Sequence, residues 1–199
     1  NASSVETLRL TGASTITLGT NAASAGIVNV ITGNGATSIT NSNGVTLNVN
    51  AAALANNTVL TLVGSSVEVV TGLIGNITAS ALTGALTVTT GNATDNSIAI
   101  ITGSAATSIT ASGASDVVTV TATALAQNTA LTLIGSAAET VTGLVGDIAA
   151  DALTGTLTVT TGNASDNGIG ITTGSAATSI TRRGTGDGVT VTGAAVADN

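Results

Sequence analysis

Residues 58–128 and 129–199, written one above the other, align without a gap and are identical at 48 of 71 positions. TVLTLVGSSVEVVTGLIG faces TALTLIGSAAETVTGLVG, and ALTGALTVTTGNATDN faces ALTGTLTVTTGNASDN. A repeat of this length and fidelity restricts the fold to modules that can be stacked, since each copy has to meet the same surroundings as the next. Residues 1–57 read as an incomplete earlier copy: GVTLNVNAAALANN at 44–57 stands 71 positions before SDVVTVTATALAQN. The expected organisation is therefore 1–57, 58–128 and 129–199, one continuous solenoid cut from a longer array.

Within each unit the pattern has period two. LTVTT (157–161), GIGIT (168–172), TSIT (178–181), GVTVT (188–192) and LTLI (131–134) alternate aliphatic residues with Thr or Gly, which puts the aliphatics on one face of a short strand and the small or hydroxylic residues on the other. Between the strands lie turn segments such as TGNASDNG and RRGTGDG, rich in residues that tolerate positive φ. Helix formers are scarce, and only AAALANN and AVADN could each supply about one turn. These features predict an all-β parallel β-helix (β-solenoid) with about 18 to 24 residues per coil, three or four coils to a period, and matching residues of successive copies stacked above one another. Tandem β-sandwich modules are the alternative architecture.

The interior has to be built without rings. The chain has no Phe, Tyr, Trp, Met, Cys or Pro, so Val, Ile, Leu and Ala must fill the core. That fits a narrow solenoid, in which a bulky ring repeated on every coil would crowd its neighbours. A mean hydropathy of +0.55 with only 7% charged residues argues against disorder. Ten acidic residues against three Arg give a net charge of −7, the wrong sign for phosphate, and no ring is present to stack on a base. Nucleic acid is not an expected partner, and no apolar run of about 18 residues points to membrane insertion. Without His, Cys, Lys or Tyr, only carboxylates remain as catalytic groups, so enzymatic activity is not expected.

ETVTGLVGDI, ALTGTLTVTTGNASDN and TGSAATSIT resemble the Thr, Gly and Ala-rich β-strand repeats of large secreted bacterial surface proteins, the RTX-type adhesins and surface-layer-like proteins. The resemblance implies export to the extracellular space or the cell surface and a role in adhesion, biofilm matrix or surface coats. It also implies calcium: in the RTX nonapeptide, Asp carboxylates and carbonyls of stacked turns hold the ion. Asp116 before Val118 and Asp187 before Val189 match the D-x-U half of that motif, whereas Ala114 and Thr185 stand where it has its third glycine. Asp95 and Asp166, in ATDN and ASDN, recur one period apart. Asp95, Asp116, Asp166 and Asp187 are thus the candidate calcium ligands, with plain turn residues as the competing reading. No other cofactor is implied.

Glu68 with Glu139, and Asn76 with Asp147, also recur at the period and read as solvated surface. Arg182 and Arg183 replace Ala111 and Ser112 of the previous copy, in an expected solvated turn. Asn1, Asn56, Asn76, Asn92 and Asn163 lie in N-x-S/T sequons. Thr87 with Thr89 and Thr158 with Thr160 form outward T-x-T pairs, which raise an ice-binding reading if enough of them align. The expected function is a non-catalytic extracellular rod or filament segment that self-associates end to end or laterally, or binds other surface proteins. A calcium-stabilised adhesin roll and an ice-binding Thr-ladder solenoid are the alternatives.

Overall fold

The computed structural model describes residues 6–91, 97–163, 168–184 and 188–193. Nineteen strands and one short helix are found among them. Ten strands form one sheet, sheet A. They are β1 (Thr7–Arg9), β3 (Asn29–Ile31), β5 (Leu47–Asn50), β7 (Glu68–Leu73), β9 (Leu86–Thr90), β11 (Thr107–Ala111), β13 (Ala130–Gly135), β15 (Asp147–Ala149), β17 (Gly168–Thr173) and β19 (Gly188–Gly193). The other nine form sheet B: β2 (Ser14–Leu18), β4 (Thr37–Asn41), β6 (Val59–Gly64), β8 (Asn76–Leu82), β10 (Ser97–Ile101), β12 (Val117–Thr121), β14 (Ala138–Leu144), β16 (Leu157–Thr161) and β18 (Thr178–Thr181). The chain visits the two sheets alternately, and every pairing between these strands is parallel. This is a β-solenoid with successive turns roughly 21 residues apart. The parallel ladders leave no place for the antiparallel pairing of a sandwich.

Residues facing one another on successive coils are 17 to 24 positions apart, from Ala130 opposite Asp147 to Thr107 opposite Leu131. At about 4.8 Å per coil, the ten strands of sheet A span roughly 43 Å. The inward residues stack into ladders. In sheet A one ladder runs Val30, Val49, Val70, Val88, Ile109, Leu133; in sheet B another runs Ile100, Val120, Val141, Val159, Ile180. They join a single aliphatic cluster that extends from Leu18 to Ile171.

The relation of repeat to coil differs from the expectation of three or four coils per period. The strands β6 to β12 correspond one for one to β13 to β19, so a period holds seven strands, which is three and a half coils. An odd number sends each strand's counterpart to the other sheet: β6 lies in sheet B and β13 in sheet A. Matching residues of successive copies therefore do not stack; they occupy opposite faces.

The turns are set locally. Leu54 and Leu125 tuck inward from corners closed by Asn57 and Asn128, both at left-handed φ (59° and 56°). These corners absorb AAALANN, expected to supply a helical turn; the helix lies instead at Thr20–Ser24 (α1), and the other candidate, AVADN, falls outside the described residues. Gly64 and Gly135 end β6 and β13 at φ 123° and 119°, and a Cβ on either would collide with the carbonyl oxygen of Asn41 or Ala111 on the coil before.

Candidate functional site

The outward side of sheet B carries an ordered group of hydroxyls. Val–Thr alternation in β12, β14 and β16 turns Val120, Val141 and Val159 into the core and leaves two Thr per strand facing out. The register then aligns them. Thr119, Thr140, Thr158 and Ser179 form one row, and Thr121, Thr142, Thr160 and Thr181 a second. Neighbours within a row stand about 4.8 Å apart and the rows about 6.6 Å apart. Thr is stiff at χ1, so the hydroxyls and methyls are held rather than sampled. None of the eight side chains is charged, and the array stops where β14 bulges at Gly143 (φ 65°). The Thr142 hydroxyl also donates to the Val120 carbonyl at 3.4 Å.

Of the T-x-T pairs singled out in the sequence, Thr158 and Thr160 join this array, whereas Thr87 and Thr89 face the other way in sheet A beside Ser108 and Thr110. The contributions of β12 and β14 are less conspicuous in the sequence because VTVTA and ETVTG differ in context. The signal lies in the spacing: 119, 140, 158 and 179 are 21, 18 and 21 residues apart, one coil each.

Glu68 and Glu139, expected on the surface, are both 1% exposed. Glu68 points inward between Leu47 and Leu86 on the adjoining coils, and Glu139 between Val118 and Leu157. Burial pushes the Glu68 carboxyl up to about 7, opposed by a side-chain hydrogen bond with Asn41. Burial pushes Glu139 further, to about 8. The sequence accounts for the difference: around Glu139, Ala111 and Ala137 stand about one period on from the Asn41 and Ser66 that accompany Glu68, and both Glu139 oxygens lack a hydrogen-bond partner. Asn76 and Asp147 are not freely solvated either. Each accepts a backbone N–H from the next coil, Asn76 from Ala99 at 2.8 Å and Asp147 from Gly170 at 2.7 Å.

Of the candidate calcium ligands, Asp95, Asp166 and Asp187 lie outside the described residues. Asp116 is buried in the turn before β12. Its carboxylate folds back over Gly113, its N–H donates to the Gly113 carbonyl at 2.9 Å, and its own carbonyl accepts from Ala138. Among the described residues no three Asp, Glu, His or Cys side chains gather as a metal would need. Arg182 and Arg183 are exposed in the turn after β18, where the Arg183 N–H donates to the Thr161 hydroxyl at 3.0 Å. Asn56 and Asn163 are exposed, the Asn76 amide is engaged as described, and Asn1 and Asn92 lie outside the described residues. Among the described residues no helix is long and apolar enough to cross a membrane. Compared with known proteins, the chain matches no family model, no curated protein and no solved structure.

Proposed function

We propose that this chain is a non-catalytic structural segment, a stiff rod within an extracellular or surface-displayed bacterial protein of the adhesin or biofilm-matrix kind, which associates with further copies or with other surface proteins. The observation that carries this reading is the unbroken parallel ladder over one aliphatic core from Leu18 to Ile171. Each coil is hydrogen-bonded to the next along the axis and shares its interior with it, so the segment holds its length as a unit. Repetition suits a spacer, which needs its property in every module, whereas a catalytic centre is needed once. The resemblance to secreted surface repeats supplies the location.

The test is mechanical. Pulled from its ends by atomic force microscopy, the segment is expected to resist and then release coils in steps of roughly 70 Å, about 21 residues at ~3.4 Å each. Smooth extension at low force, as for a flexible linker, would refute the rod. Antibodies raised against the segment are expected to label intact cells of the source organism; labelling only after permeabilisation would refute the surface location.

A further inference from the structure

The hydroxyl array on sheet B is not needed for the rod, since a solvated parallel sheet can be faced with any mixture of polar residues. We infer that the face built by Thr119, Thr121, Thr140, Thr142, Thr158, Thr160, Ser179 and Thr181 binds the surface of crystalline water. Several observations bear on the choice of ligand.

The first is periodicity. The eight positions form a two-by-four grid whose spacings are fixed by strand rise and strand separation, about 6.6 Å and 4.8 Å. A grid of this kind matches a ligand that is itself periodic in two dimensions. The second is rigidity: seven of the eight side chains are Thr, whose single stiff χ1 leaves little entropy to lose when water is fixed against it. Each Thr also offers a methyl beside its hydroxyl, so the grid can hold a water and exclude the next, which suits a lattice with cages better than bulk liquid.

The third is what the face lacks. None of its eight side chains is charged, the cation beside it being Arg183 at the edge next to Thr142 and Thr160, and it has no ring for a sugar platform. Its area, about 7 Å by 14 Å from the same spacings, is also far below the roughly 800 Å² per partner of a stable protein interface. The eight residues alone are therefore too small an interface for a second copy or another protein, whereas a crystal of water can be engaged at every grid point. The counterparts one period earlier on sheet A keep one row, Asn48, Val69, Thr87 and Ser108, but the register shift after Val70 breaks the second between Thr71 and Thr89.

The test uses the whole chain in slowly frozen buffer. The chain is expected to become enriched in the ice fraction and to slow the coarsening of ice grains. Thr140→Lys with Thr160→Lys, at the centre of the grid, is expected to abolish both effects, and Ala130→Lys on the opposite face to leave them unchanged. Thr140→Ser with Thr160→Ser keeps the hydroxyls and removes two methyls; a partial loss is expected, with circular dichroism reporting that each variant is folded. Exclusion of the wild-type chain from ice would overturn the assignment, as would retention of activity by the folded double-Lys variant. Loss of a dimer in sedimentation, or loss of binding to crystalline polysaccharide, on the same substitutions without any effect on ice would also overturn it.

Discussion

A carboxyl in the core sets how the fold responds to acid and base. Glu68 and Glu139 ionise near 4.5 when exposed and at about 7 and about 8 in the fold. Between those values the folded chain holds protons that the unfolded chain has released, so their contribution is fully present below about pH 4.5 and is lost as pH rises through 7 and then 8. At about 1.4 kcal/mol per pKa unit, the loss amounts to several kcal/mol. The melting temperature is therefore expected to fall between about pH 5 and pH 9, opposite to a fold held by paired surface carboxylates. Glu139→Gln is expected to flatten the curve. An unchanged melting temperature across that range would contradict the burial.

Whether these Glu face inward was hidden by the phase of one strand. In VEVV (67–70) alternation permits Glu68 outward with Val67 and Val69 inward, or the reverse, and a one-residue slip exchanges the faces. The structure takes the reverse, leaving Val67 39% exposed. The third copy carried the information, because AETVT (138–142) places two Thr on the side opposite to Glu139 and Val141. A charged residue's average preference for solvent outweighed that hint.

At the scale of elements, strands and turns were legible and the coil was not. Period-two alternation marked the strands because aliphatic and Thr residues separate cleanly at LTVTT and TSIT. The number of strands per period could not be read from the alternation, since segments such as NVI (29–31) and DIA (147–149) are only three residues long and carry little pattern. The glycines that close the coils are sharper markers. Gly135→Ala meets both a positive φ and the Ala111 carbonyl, so a destabilisation of at least about 1–3 kcal/mol is expected in urea unfolding. The same substitution at Gly12, which has open space around it and no positive φ, is expected to stay within about 0.5 kcal/mol.

For the molecule as a whole, the rod reading requires no metal: melting is expected to be the same with calcium and with chelator. A rise with calcium would favour the calcium-stabilised roll over the metal-free rod. The seven-strand period gives a second outcome. Excising residues 58–128 joins β5 to β13, which then takes the place of β6 and moves to sheet B. Spin labels at Asn48 and Thr132, which share the outer side of sheet A in the intact chain, are expected to lie across the core from each other in the shortened one. Labels that remained on one side would show that the half-coil relation is not a property of the repeat.

That relation also governs how a longer chain of such modules would meet its surroundings. Consecutive modules look in opposite directions, so whatever one of them grips, its neighbours grip from the far side. A filament assembled this way would have no blank back, and could be clasped between two growing crystals or two cells at once.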